Sequence, residues 1–221
     1  MLTLFNLAFV IVLTSSQCAS ADTQPSAMPN PIKDVTPYVE KDKTSVIAFY
    51  RFGCPACRMF HSSLSAWGKS LPKGISFQFY PVVEPGDGRD ISDETMLGLQ
   101  TYWVAKRIGT PAQQESFAAE AYSLVQDEKA GANRDRWFDT LLAQGMKRQS
   151  IVSAWKAEID LGAARYDRQA HYRPTNTPSL VICGKWMISP DSANGDPELF
   201  AQLANGLVSQ CADEIGVTYR H

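Results

Sequence analysis

Two cysteines stand three positions apart in the segment FGCPACRMF, residues 52–60, as Cys54 and Cys57. Such a pair can bind a metal ion, carry a haem, brace the fold or exchange electrons with another dithiol. Covalent haem attachment requires a histidine directly after the second cysteine, and Arg58 occupies that position. A zinc site needs about four ligands. His61 could supply one more, but no second cysteine or histidine pair follows, so we expect no metal. We expect His61 to be a helix-surface or half-buried residue.

The residues around the pair favour electron exchange over a structural role. The run TSVIAFYRF, residues 44–52, is apolar and β-branched, which is typical of a strand buried on both faces. Pro55 suits the first turn of a helix, so Cys54 is expected at the helix N-terminus. The unpaired N–H groups and the helix dipole there stabilise a thiolate, which is a good leaving group. A structural disulfide over so short a loop would constrain the unfolded chain little.

The pattern continues as strand, helix, strand and then a long helical region. The first helix should extend to about Ser70, and ISFQFYPVV, residues 75–83, predicts a second strand. After a flexible loop, roughly eighty residues carry apolar side chains at helical spacing. The last part of this region predicts one long amphipathic stretch through Val152, Trp155, Ile159, Ala163, Tyr166 and Ala170.

Shorter elements flank this region. The segment SLVICGKWMIS, residues 179–189, predicts two strands around a turn at Gly184-Lys185. Residues 196–211 predict a final helix, with Asp196 and Pro197 as its start signal. A short edge strand is expected near residues 32–35.

The N-terminal sequence predicts that the protein is exported from the cytoplasm. The first 21 residues contain no charged side chain, and their apolar run is too short to span a bilayer. They end in Ala19-Ser20-Ala21, the small-x-small pattern of a cleavage site. We expect a signal peptide at residues 1–21, with an N-terminal membrane anchor or a disordered tail as the alternatives. The mature chain, residues 22–221, would be a single domain in the bacterial periplasm, where four remaining cysteines could form two disulfides.

Composition narrows the function class. The chain has 221 residues, enough for one domain with a sizeable core. Apolar residues make up 44% and charged residues 20%, which is ordinary for a soluble globular protein. The formal net charge is −2 and no basic cluster is present, so nucleic acid is not an expected partner.

The segment FYRFGCPACRMF, residues 49–60, resembles the active-site segment of DsbA-type thiol:disulfide oxidoreductases, which carry a C-P-x-C motif. The resemblance extends to TPSLVICGKW, residues 177–186, which is similar to the cis-proline loop of that family. The helical region between these segments also fits, so the resemblance covers most of residues 44–211. It implies an α/β class, namely a thioredoxin-like fold with an inserted α-helical subdomain at approximately residues 90–173.

The resemblance also implies residue roles. Cys54 would be the exposed sulfur that forms a mixed disulfide with a substrate, and Cys57 the buried partner that resolves it. Pro178 would be cis and face the cysteine pair. The cis bond would turn the backbone of Thr177 toward the substrate. An unfolded substrate could then pair with this backbone as an added strand. An ordinary trans turn at Thr177-Pro178 is the alternative.

Three positions depart from the best-known member of the family. Pro55 and Ala56, the redox-tuning pair between the cysteines, lack the histidine found there. Ala48, six residues before the first cysteine, stands where that member has a buried acid. The sequence therefore does not indicate which group exchanges a proton with Cys57. Thr177 is the residue type of the disulfide isomerases of the wider family. An oxidase is therefore expected, with an isomerase or reductase, or a non-catalytic chaperone-like peptide binder, as alternatives.

The resemblance implies partners as well. Substrates would be unfolded or reduced exported proteins, and a DsbB-type membrane protein is the implied redox partner; no cofactor is expected. Cys183 ends a predicted strand and Cys211 ends the predicted final helix. We expect these two to form a structural disulfide, with two buried thiols as the alternative.

Overall fold

The computed structural model of the chain describes residues 32–35, 38–83 and 93–217. The predicted signal peptide lies outside these residues. Within them, no helix combines the length and the apolar character that crossing a bilayer requires.

The described residues form one mixed sheet with β2 near its centre. Strand β2 pairs parallel with β3 and antiparallel with β4, and the strand order is β1-β5-β4-β2-β3. The predicted edge strand near residues 32–35 is confirmed, because β1 pairs antiparallel with β5 at one edge. The strands are β1 Lys33–Asp34, β2 Ser45–Tyr50, β3 Ser76–Pro81, β4 Ser179–Ile182 and β5 Trp186–Ile188.

Helices cover both faces of the sheet, and α2 to α6 lie between β3 and β4 in the sequence. The helices are α1 Pro55–Lys69, α2 Asp93–Ile108, α3 Pro111–Gln126, α4 Arg134–Ala143, α5 Arg148–Asp160, α6 Asp167–Tyr172 and α7 Pro197–Glu214. The predicted α/β class with an inserted set of helices is confirmed.

Strand β2 is buried on both faces, as its apolar run predicts. Ile47 and Phe49 pack into the core shared with the inserted helices, whereas Val46 and Ala48 pack into the core under α7. All four side chains are fully buried. Because successive strand residues point to opposite faces, a strand covered on both sides needs apolar residues at every position.

The prediction of one long amphipathic stretch is wrong. Two separate helices, α5 and α6, are joined by a 3₁₀ turn at Gly162–Arg165. Val152 and Ile159 are 56% and 53% exposed, while Ile151 and Glu158 on a neighbouring face of α5 are buried. The carboxylate of Glu158 binds two arginines, one from α2 and one from the 3₁₀ turn. A buried carboxylate requires such partners, so this pairing holds the Glu158 face inward.

The sheet topology brings two distant loops together. Because β2 and β4 are antiparallel neighbours, with Phe49 opposite Ser179, the end of β2 lies beside the start of β4. The turn that follows β2 carries Cys54, and the loop that precedes β4 carries Thr177 and Pro178.

Candidate functional site

The turn between β2 and α1 places the first cysteine at the start of the helix. Cys54 is the N-cap residue of α1, with extended backbone angles, and Pro55 is the first helical residue. The backbone N–H of Cys57 donates a hydrogen bond to Cys54 Sγ at 3.1 Å. The Cys54 sulfur thus occupies the position of a capping acceptor for an N–H that the helix itself leaves unpaired.

The two cysteines have opposite proton affinities. The pKa of Cys54 is lowered from 9.0 to about 5, chiefly by a hydrogen bond from the Cys57 thiol, against the opposing effect of burial. The Thr177 hydroxyl, the Cys57 N–H and the charge of Arg51 lower it further. The pKa of Cys57 is raised, because its proton is held in the bond to Cys54 and because it is buried. At neutral pH the reduced pair is therefore a Cys54 thiolate beside a Cys57 thiol.

The loop before β4 faces the pair. The Thr177-Pro178 peptide bond is cis. The carbonyl oxygen of Thr177 lies 3.2 Å from Cys54 Sγ and accepts a hydrogen bond from it when Cys54 is a thiol. The Nε of Arg51 donates to the Thr177 hydroxyl oxygen at 3.3 Å. The structure thus brings together Cys54, Cys57, Thr177 and Pro178.

The exposure of Cys54 is smaller than the resemblance implied. Its side chain is only 5% exposed, against 1% for Cys57, because the Thr177 loop lies over it. A groove of about 500 Å³ opens beside this loop, and Ala56, Asn176 and Thr177 contribute to its walls. Cys54 remains the more exposed cysteine of the two, and the Thr177 loop that contacts it also lines the groove.

The sequence analysis missed Gln126, the last residue of α3. Its Nε2 donates hydrogen bonds to the carbonyl oxygens of Phe52 and Cys54, at 2.7 and 3.1 Å. The neighbouring Asp127 binds Arg58 of α1 through two hydrogen bonds of 2.8 and 2.9 Å. These contacts join the inserted helices to the cysteine turn. No sequence signal marks them, because the partners are about seventy residues apart in the chain.

His61 is more deeply buried than the helix-surface or half-buried position that the sequence predicted. It is 9% exposed, and its ring stacks on Phe79 with 4.1 Å between ring centroids. The Tyr122 hydroxyl lies 3.3 Å from His61 Nδ1. Burial lowers the pKa of His61 from 6.5 to about 4, with a smaller opposing effect of Glu115. The helical insertion covers this face of α1, which local periodicity could not reveal.

The other cysteine pair lies away from the site. Cys183, just after β4, is disulfide-bonded to Cys211 of α7, which links the helix to the sheet. Across the described part of the chain, no three side chains of His, Cys, Asp or Glu converge where they could hold a metal ion.

The chain is similar in sequence to curated thiol:disulfide interchange proteins. No family model matches the chain. A curated protein of Azotobacter vinelandii named thiol:disulfide interchange protein DsbA is 25% identical over 177 residues, covering 79% of this chain and 78% of its own length. The protein of the same name from Pseudomonas syringae pv. tomato is 23% identical over 181 residues, covering 81% and 80%.

Solved structures agree with these sequence relatives. The crystal structure of Pseudomonas aeruginosa DsbA has a TM-score of 0.69 at 18% identity, covering 84% of this chain and 94% of that one. Proteus mirabilis DsbA in complex with a non-covalently bound peptide, PWATCDS, has a TM-score of 0.66 at 18% identity, with 81% and 94% covered. The shared fold and the sequence relatives together confirm the predicted resemblance to the DsbA-type thiol:disulfide oxidoreductases and, with it, a role in thiol:disulfide interchange.

Proposed function

We propose that this chain is a periplasmic oxidase that introduces disulfides into exported proteins through Cys54 and Cys57. The observation that carries the proposal is the environment of the Cys54 sulfur, which receives hydrogen bonds from the thiol and N–H of Cys57 and from the Thr177 hydroxyl. These bonds stabilise the thiolate that is released when the disulfide is reduced. A disulfide whose reduced form is stabilised is an oxidant.

The size of this effect follows from the pKa of Cys54. At neutral pH, a thiol with a pKa of about 5 rather than 9.0 stabilises the reduced protein by about 3 kcal/mol relative to an unperturbed thiol. For a two-electron couple this corresponds to about 60 mV in the oxidising direction. The hydrogen bond from the Cys57 thiol, together with the smaller contributions of Thr177 and of the capping N–H, thus favours an oxidase over a reductase.

The reaction proceeds in two exchanges. A substrate thiolate attacks Cys54 Sγ in the Cys54–Cys57 disulfide, the S–S bond breaks, and the Cys57 sulfur leaves with the electron pair and gains a proton. A second substrate thiolate then attacks the substrate sulfur of the mixed disulfide, and Cys54 leaves as a thiolate. The substrate loses two electrons and gains a disulfide; a DsbB-type membrane partner would take these electrons from the reduced pair.

Substrate binding would use the loop before β4. The Thr177 backbone lies beside the Cys54 sulfur, so a peptide that pairs with this backbone as an added strand places its own cysteine within reach. The neighbouring groove of about 500 Å³ gives room for flanking side chains of an unfolded chain. The intact cysteine pair and the lowered pKa of Cys54 disfavour a purely non-catalytic peptide binder.

The isomerase or reductase alternative has one supporting observation. Thr177, the residue type found in isomerases, contributes a hydroxyl that reaches the cysteine pair. The redox potential distinguishes the alternatives, and equilibration of the cysteine pair with glutathione would measure it. We expect a value well above that of thioredoxin, which is about −270 mV. A potential at or below that value would contradict the oxidase.

The proposal includes export. Residues 1–21 would be removed as a signal peptide, leaving residues 22–221 as one domain with its helical insertion at approximately residues 90–173. Expression of the full chain in a bacterium, fractionation and N-terminal sequencing test this step. We expect a periplasmic protein that begins at Asp22; an uncleaved chain held in the membrane fraction would contradict it.

A further inference from the structure

The second cysteine has to exchange a proton with solvent in every reaction cycle. When the disulfide opens, the Cys57 sulfur leaves as a thiolate and becomes a thiol; when it closes, that proton must depart. Cys57 is 1% exposed, so water does not reach it directly. Strand β2, which leads into the cysteine turn, carries no acid, and its Ala48 packs in the apolar core on the α7 face of the sheet.

Three polar side chains are buried together behind Cys57. His61 follows Cys57 by four residues on α1 and therefore lies on the same face of the helix. The Tyr122 hydroxyl lies 3.3 Å from His61 Nδ1. The ring of Tyr50 packs against both, with centroid distances of 5.9 Å to His61 and 6.4 Å to Tyr122. Cys57, Tyr50 and Tyr122 belong to the same buried cluster. Burial raises the pKa of both tyrosines, and the charge of Cys57 adds a smaller effect in the same direction.

The Tyr50 hydroxyl is unusual. It is buried and has no hydrogen-bond partner among the residues that the structure describes. Leaving a buried hydroxyl unpaired costs stability, and each such group in a native protein calls for an explanation. A group that acquires a hydrogen-bond partner only during part of a reaction cycle is one explanation. The transient thiolate of Cys57, which lies in the same buried cluster as Tyr50, is a candidate for that partner.

His61 connects this cluster to solvent. A groove of about 500 Å³ between α1, β3 and the inserted helices has His61 in its lining. Several titratable groups face His61 or this groove: Tyr50, Lys69, Tyr102, Lys106, Glu115 and Tyr122. Burial lowers the pKa of His61 to about 4, so its ring is neutral at physiological pH. A neutral imidazole can accept a proton at one nitrogen while it donates from the other.

We propose that Tyr50, Tyr122 and His61 form the proton path of Cys57, with His61 exchanging protons with water in the groove. On opening of the disulfide, a tyrosine hydroxyl gives its proton to the Cys57 thiolate. The His61 Nδ1–H re-protonates the tyrosine oxygen, and Nε2 takes a proton from water. On closing, the same transfers run in reverse, and His61 is neutral before and after. The inference rests on the proposed function, since only a cycling Cys57 needs this path.

The test uses the full mature protein carrying glutathione on Cys54. Attack by Cys57 on this mixed disulfide releases glutathione and requires Cys57 to lose its proton. We expect His61→Ala to slow this release by about 10²-fold, the low end for positioned proton transfer. Added imidazole, which fits the space left by the missing ring, should restore most of the rate. The equilibrium potential should stay at the wild-type value, because a proton path changes a rate and not an equilibrium.

A matched control and a second variant keep the test decisive. His171→Ala removes a histidine from α6 and should release glutathione at the wild-type rate. Tyr122→Phe preserves the ring packing without the hydroxyl, and it should show similar slowing even if His61→Ala folds poorly. Wild-type rates in both the His61 and Tyr122 variants, or slowing that imidazole does not relieve in folded His61→Ala protein, would overturn the proton path. A wild-type protein that never exchanges with glutathione would instead refute the proposed function.

Discussion

Removing the hydroxyl of Thr177 would test whether the loop before β4 affects the redox potential of the Cys54–Cys57 pair. This hydroxyl donates a hydrogen bond that lowers the pKa of Cys54, and its oxygen accepts a bond from Arg51 Nε at 3.3 Å. Thr177→Val keeps the shape of the side chain and removes both bonds. The capping N–H and the thiol of Cys57 remain in place, so the Cys54 thiolate loses one of its hydrogen bonds and keeps the others.

The expected magnitude follows from the value of a single charged hydrogen bond. Bonds to charged groups contribute about 1.5–3 kcal/mol, and we take the low end because burial already opposes the thiolate here. A loss of about 1.5 kcal/mol raises the pKa of Cys54 from about 5 to about 6. It also destabilises the reduced protein equally at neutral pH, so the potential should fall by about 30 mV.

Two measurements check this expectation. The ultraviolet absorbance of the thiolate, followed against pH in the reduced protein, reports the pKa of Cys54. Equilibration with glutathione reports the potential. Thr177→Ser keeps a hydroxyl and serves as the matched control, with values near those of the wild type. If Thr177→Val and Thr177→Ser both titrate and equilibrate as the wild type does, the hydroxyl does not act on Cys54 and the reasoning fails.

Further predictions concern the cysteine turn and the buried histidine. Cys57→Ala should accumulate mixed disulfides with exported proteins through Cys54, detected by mass spectrometry, whereas Cys54→Ala should trap none; adducts through Cys57 would reverse the roles. Ala56→His should raise the potential by about 30–60 mV if the imidazole donates one charge-assisted bond to Cys54, and an unchanged glutathione equilibrium would refute this. His61 has a pKa of about 4 in the folded protein against 6.5 ordinarily, so the unfolded chain binds more protons between these values. Stability should therefore fall by up to about 3 kcal/mol as pH drops through this window, and denaturant unfolding of His61→Phe should lack that loss.

The central strand and the cysteine turn could be predicted because their signals are local. The apolar run of β2 and the proline after Cys54 determine a buried strand and a helix start within a dozen residues. The environment of His61 could not be predicted, because helices distant in sequence cover it. No sequence pattern predicts the contacts of Gln126, since they depend on where α3 ends relative to Cys54. Contacts of this kind arise only from the assembled fold.

The orientation of α5 shows a different limit of sequence reasoning. Val152 and Ile159 match the helical period as well as Ile151 does, so periodicity alone does not identify the buried face. The decision rests on Glu158, whose buried carboxylate binds arginines from two other segments. A charged residue thus determines which apolar residues are left exposed.

The contact between Cys54 and Thr177 has a consequence for the order of folding. The two residues are 123 positions apart, and all of the inserted helices lie between them. During synthesis from the N-terminus, β2, α1 and β3 can form their local contacts before β4 exists. Contacts between residues this far apart form late and slow the folding of a domain. We therefore expect Cys54 to acquire its full set of hydrogen bonds only when β4 pairs with β2, so that the nascent chain has the local Cys57 bonds first and gains the contribution of Thr177 on completion of the fold.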